Sequence, residues 1–201
     1  MKHKHRRTGR NGNAHGKEIR FYRANQKPYG FLSNLYRRPI LFEGQHFLTA
    51  EHAYQAGKPR KESVRKWLMS APAPSLVAMA AHGLYTWDIR SDWAKIKFDR
   101  MRSVLRSKFT QHDDLRALLL STGEARLVEW TNVDNPVNRT WGEVNGKGQN
   151  MLGIFLMELR AELKGKNSID TDKVKPAKAG RSVGSERPKI PRRKRLGRQN
   201  K

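Results

Sequence analysis

A chain of 201 residues with 42 lysines and arginines against 18 aspartates and glutamates carries a net charge of +24. Its apolar content of 36% supports one core of ordinary size, and the lack of cysteine excludes disulfide frameworks, thiolate metal sites and cysteine nucleophiles. Without a long apolar run, or an apolar stretch behind the basic N-terminus, the sequence predicts a soluble, cytoplasmic protein with no membrane contact.

Residues 1–17 hold six basic and no acidic residues, and few large apolar ones. Such a segment cannot bury enough surface to offset its ordering entropy, so a disordered basic tail is expected. "EIRFY", Glu18–Tyr22, reads as a strand opening the ordered part. Pro28 and Gly30 punctuate a loop over Lys27–Asn34, and "RPILFEGQHFLT" reads as two short strands joined at Glu43-Gly44. Thr49 is a helix N-cap, and Ala50, Ala53, Tyr54 and Gly57 follow at the spacing of one apolar helix face. Glu51, Gln55 and Lys58 form a second stripe along the rim of that face.

"KESVRKWLM" predicts another short helix, and "PSLVAMAAHG" one that starts with proline in its first turn and stops with Gly83 at C′. The longest helix is expected over about Ser91–Phe109, with Ala94, Phe98, Met101, Leu105 and Phe109 as its apolar stripe and lysines and arginines opposite. Asp113 or Asp114 caps "LRALLLST", "ARLVEW" is a strand, and "TNVDNPVNRTWGEVNGKGQ" is a loop. A final helix carries Met151, Leu152, Phe155, Leu156, Leu159 and Leu163 at helical spacing. The C-terminal segment 164–201 is again strongly basic, with fourteen basic and three acidic residues. The expected architecture is α+β: a compact, helix-rich single domain with a small sheet over 18–164, flanked by disordered basic tails over 1–17 and 165–201.

The histidines (His3, His5, His15, His46, His52, His82 and His112) have no ligand spacing, and neither a dinucleotide fingerprint nor a phosphate loop occurs. No metal and no cofactor are therefore expected. "GKGQN" has two readings: an anion site at a helix N-terminus, or a glycine turn capped by Asn150. The remaining chemistry lies in carboxylates and tryptophans. Glu51 sits in a first helical turn, Asp134 and Trp141 in the long loop, and Trp93 at a helix start off the apolar stripe. Each also has a plain structural role to fill, as a helix-start charge, a turn former or core-edge packing.

"GFLSN", "RPILFEGQHFLTAEHAYQAGK", "RSDWAKIKFDRMRSVLRSKF", "LRALLLSTGEARLVEWTNVD" and "WGEVNGKGQNMLGIFLMELR" together resemble the NADAR (YbiA-like) N-glycosidase family over about Phe21–Leu163. The resemblance implies hydrolysis of a C–N glycosidic bond in a nucleotide-like substrate. Family substrates include ADP-ribose attached to guanine in DNA, and ribosylaminopyrimidine phosphates of riboflavin biosynthesis. By position it implies catalytic roles for Glu51 and Asp134 and substrate binding by Asn34, Lys58, Trp93 and Trp141. Three departures stand out: "NPVNRT" separates Asp134 from Trp141, Leu84 follows Gly83 where the family commonly has arginine, and Pro59 ends the Gln-Ala-Gly-Lys segment. Without that arginine, a phosphate-binding role either passes to Arg90 or lapses.

Breaking such a bond builds positive charge on the sugar and negative charge on the base, so a carboxylate near the sugar and flat rings for the base suit it. The tails have two readings, phosphate contact with nucleic acid or solvation alone. The alternative to an enzyme is an inactive, basic nucleic-acid-binding protein. A structural, packaged basic protein is a third reading, resting on charge alone.

Overall fold

The computed structural model describes residues 17–172, with side chains through residue 165. The disorder expected of the tails lies outside the described residues over 1–16 and 173–201. β1 (Glu18–Phe21) alternates exposed Glu18 and Arg20 with buried Ile19 and Phe21, the period of a strand with one face in a core. It pairs in parallel with β4 (Arg126–Thr131), which pairs in parallel with β5 (Glu143–Val144), so β4 is the central strand. Arg126 ties the three strands together through ion pairs with Glu18 and Glu143. β2 (Ile40–Phe42) and β3 (Gln45–Phe47) form a separate antiparallel hairpin. Its turn residues Glu43 and Gly44 have φ of 50° and 74°, the positive values a two-residue turn requires.

Seven α-helices are described: α1 (Ala50–Gln55), α2 (Glu62–Met69), α3 (Pro74–His82), α4 (Trp93–Thr110), α5 (Asp113–Ser121), α6 (Pro136–Trp141) and α7 (Met151–Asp172). α7 packs along β4, and Gly153 approaches the Leu127 carbonyl so closely that a Cβ would collide with it. α4 and α5 pack on α7, and α1 is enclosed by α3, α4 and the β2–β3 hairpin. The helix-rich α+β architecture matches the sequence expectation.

Several details differ. Among the described residues α7, with 22 residues, is longer than α4, with 18, and it runs past Lys164 into the segment expected to be disordered. A helix nucleated by packing extends at little cost per residue. On α4 the buried face is Met101, Val104, Leu105, Lys108 and Phe109, while Ala94 is exposed. Lys108 thus lies in the core, because its Nζ donates to the carbonyls of Phe31 and Ser33 at 2.6 and 2.9 Å and sits over the Tyr36 and Phe109 rings. α3 ends at Gly83 with φ −81°, a right-handed cap rather than a left-handed C′. The N-cap of α5 is His112, leaving Asp113 and Asp114 in the first turn, where the helix dipole still favours them. The long loop contains α6, begun by Asn135, whose side chain accepts from Asn138 N at 2.8 Å, and by Pro136 in the first turn.

Candidate active site

A cleft of about 190 Å³ opens between α1, the loop at Ser33–Leu35, β4 and α6. Its lining includes Asn34, Glu51, Gln55, Glu129 and Trp141, with Tyr22 and Arg23 at one side. A second hollow of about 220 Å³ shares Tyr54, Gln55, His82, Val137 and Trp141 with the first, and adds Lys58, Trp93 and Lys97. The sequence therefore places five of its six candidates around one composite cleft: Asn34, Glu51, Lys58, Trp93 and Trp141. Asp134 lines neither hollow. Its side chain is 52% exposed and holds Arg139 with both oxygens at 2.6 Å, an ion pair that keeps its pKa low and braces the turn into α6.

α1 is short, so its position depends on what grips its ends. Thr49 Oγ1 accepts from His52 N, and the Asn34 carbonyl accepts from Glu51 N at 3.1 Å, satisfying two first-turn donors. At the other end Arg100 donates to the carbonyls of Ala53 and Tyr54, at 2.7 and 3.1 Å, and pairs with Glu43. Glu51 is thereby held on a helix buried along its whole length, only 9% exposed itself. Burial raises its pKa, while a hydrogen bond from Gln55 Nε2 at 2.8 Å and the nearby Lys58 charge oppose that rise. Lys58 donates to the Ala81 carbonyl of α3, and burial lowers its pKa. Gln55 thus lies beside Glu51 as the helical stripe predicts, whereas Lys58 falls past the end of α1 and its charge still reaches Glu51.

Two amide oxygens, Asn34 Oδ1 and Gln55 Oε1, are buried without a hydrogen-bond partner among the described residues. Both residues line the cleft, and unpartnered buried acceptors are costly unless a ligand donates to them. The aromatic wall is fixed by mutual contact. Tyr54 lies 5.1 Å from Trp93 and 5.5 Å from Trp141 between ring centroids, and Trp141 also meets Phe98 and Phe155 edge-on.

The second carboxylate of the cleft is Glu129, which the sequence reading passed over. It stands on central strand β4, half-buried, with its N–H donated to Asn150 Oδ1 at 3.1 Å. Gly142 packs so closely on Glu129 that a Cβ there would strike its backbone oxygen. Desolvation and the neighbouring Glu51 charge push the Glu129 pKa up to about 8. The legible signal was a glutamate inside the apolar strand "RLVEWT". Arg90, one of the two alternatives for the phosphate role, is chelated by Asp92 at 2.5 and 2.9 Å and lines neither hollow, whereas exposed Arg23 lines the cleft. Among the described residues no cluster of His, Asp and Glu could hold a metal ion.

A family model described as the NADAR domain matches residues 20–164. The chain belongs to the NADAR family. It is 40% identical to N-glycosidase YbiA of Escherichia coli K12 over 146 residues, covering 72% of this chain and 88% of that protein. N-glycosidase Npun_R5314 of Nostoc punctiforme is 36% identical over 149 residues, covering 73% of this chain and 92% of the relative. A riboflavin biosynthesis protein of Vibrio vulnificus, VVA0006, is 33% identical over 146 residues, which make up only 38% of that protein. The NMR structure of Escherichia coli YbiA superposes with a TM-score of 0.67 at 38% identity, covering 76% of this chain and 88% of that one.

Proposed function

We propose that this protein is an N-glycosidase that hydrolyses the C–N bond between a ribosyl group and a base, with Glu51 and Glu129 as its working carboxyls. The carrying observation is the unequal surroundings of two carboxyls lining one cleft. Burial raises the pKa of Glu51, but the Gln55 amide and the Lys58 charge oppose that rise and favour its ionised form. Glu129 has no such support and faces the Glu51 charge, so at neutral pH it holds a proton. As the C–N bond breaks, its electron pair moves to the base nitrogen, which takes the Glu129 proton. Glu51 stabilises the cationic sugar and accepts a proton from the water whose oxygen bonds to the anomeric carbon. Sugar hydroxyls donate to Asn34 Oδ1 and Gln55 Oε1, the base rests against Trp93 and Trp141, and Arg23 or Lys58 meets a phosphate. The names of the YbiA and Nostoc relatives support the reaction class.

Two substrates fit this reading, ADP-ribose on guanine in DNA and a ribosylaminopyrimidine phosphate. The +6 of residues 1–17 and the +11 of residues 164–201 favour a protein held on nucleic acid. Offering both substrates and identifying the released base or sugar by mass spectrometry tests the proposal. Release from neither overturns it, and the inactive nucleic-acid-binding reading then stands. Deleting 1–16 and 173–201 should weaken duplex DNA binding and flatten its salt dependence while sparing a small substrate.

A further inference from the structure

Beyond the cleft lies a second aromatic surface. α2 and α3 enclose a small core of their own, Leu68, Val77 and Ala81. On its outer side a groove of about 330 Å³ is lined by Ser63, Val64, Trp67, Leu84, Tyr85 and Asp88. Trp67, Tyr85 and Trp87 are 58%, 64% and 62% exposed, an unusual display of large rings outside any core. Tyr85 and Trp87 stack on each other with centroids 4.5 Å apart and planes 10° from parallel. Parallel rings with free outer faces can extend a stack of planar groups.

The charge around these rings is net positive, although Asp88 is part of the lining. Residues 57–90 hold six lysines and arginines against Glu62 and Asp88. Arg60 and Lys61 are exposed, and neither forms an ion pair among the described residues. Arg60 is placed beside the groove by its N–H, donated to the Asp88 carbonyl at 2.7 Å, and Lys61 follows it as the N-cap of α2, whose Ser63, Val64 and Trp67 line the groove. α3 joins the two sites: Ala78 and His82 line the cleft, and the next residue, Gly83, lines the groove.

We propose that the groove beside the stacked Tyr85–Trp87 pair binds unpaired bases of a single-stranded nucleic acid, with Arg60 and Lys61 on its phosphates. Exposed rings with cations beside them match a strand whose every base has a flat face and whose every link has a negative charge. A strand lying there is led over the C-terminal end of α3 to the cleft. This goes beyond glycosidase chemistry and does not depend on it.

The test uses the full chain and two labelled oligonucleotides of equal length, a thymidine homopolymer and its abasic counterpart, at about 200 mM salt to damp sequence-independent phosphate contact. The wild type should bind the base-bearing strand about tenfold more tightly. Tyr85→Ala with Trp87→Ala should lose that preference, and Tyr85→Phe with Trp87→Phe should keep it. Equal binding of both strands by the wild type, or a preference surviving in the double-alanine variant, overturns the proposal. So does a blue shift of tryptophan emission on phosphatidylserine-containing vesicles without any base preference, which would make the rings a membrane-surface contact. Neither strand carries a scissile modification, so this result is independent of whether the cleft is active.

Discussion

Helix α1 buries all six of its residues, whereas α2, with eight, buries only Leu68. Glu51 therefore stands on an element clamped at both ends by Thr49, Asn34 and Arg100. The rings of Trp67, Tyr85 and Trp87 stand by a lobe whose buried core is only three side chains, Leu68, Val77 and Ala81. Bond-breaking needs groups fixed to a fraction of an ångström, and only a fully enclosed element provides that. Stacking on a polymer tolerates looser placement, so exposed and shallowly supported rings suffice.

The sharpest break of this contrast is at the cleft. Glu51→Gln should keep the fold and lower N-glycosidase turnover more than a hundredfold, measured as kcat on the substrate found active. Near-normal turnover would remove Glu51 from the chemistry. Glu129→Gln should cost about a hundredfold and abolish the alkaline limb of the pH–rate profile, which in the wild type should fall near pH 8 as the acid ionises. The same group should mark stability. Between the ordinary value of 4.5 and about 8 the folded state holds a proton that the unfolded chain has released. Stability therefore falls as pH rises through that window, and the Gln variant should remove this decline.

Lys108 gives the opposite sign. Burial pulls its pKa from 10.5 to about 7, so between those values the unfolded chain holds the extra proton and stability rises with pH. Urea unfolding of Lys108→Met should lack that rise. It should also show a loss of about 2 kcal/mol at pH 7, because the Phe31 and Ser33 carbonyls lose their donor.

Leu68→Ala should cost about 2 kcal/mol, with faster amide exchange confined to α2 and α3. Equal acceleration in α1 would show that the lobe and the main core open together, and the contrast would collapse. Asp134→Asn should have the smallest effect, a loss of turnover within about fivefold, because its exposed pair with Arg139 acts on the placement of α6. A loss as deep as that of Glu51→Gln would return Asp134 to the reacting groups.

Local chemistry was readable wherever neighbours in sequence are neighbours in space. The Thr49 cap, the Glu43-Gly44 turn, the strand "ARLVEW" and the alignment of Glu51 and Gln55 along α1 all depend on a few consecutive residues. Asn135-Pro136 was an equally local helix start, which the surrounding glycine-rich loop obscured. Residue types and order alone also carried the family likeness, which the match over residues 20–164 bears out.

Tertiary structure decided which charges share a cleft. Glu129 lies 78 positions from Glu51 in the sequence, and only the parallel pairing of β4, with α7 behind it and Gly142 pressed against it, brings the two carboxyls to one cavity. Burial then separates their protonation, an effect with no local signature because desolvation depends on the whole surround. Lys108 shows the same limit: a lysine on a helix reads as solvated until the loop at Phe31–Ser33 supplies carbonyls to receive it. Spacing along a chain determines periodicity and caps, whereas electrostatic environment is a property of the three-dimensional enclosure.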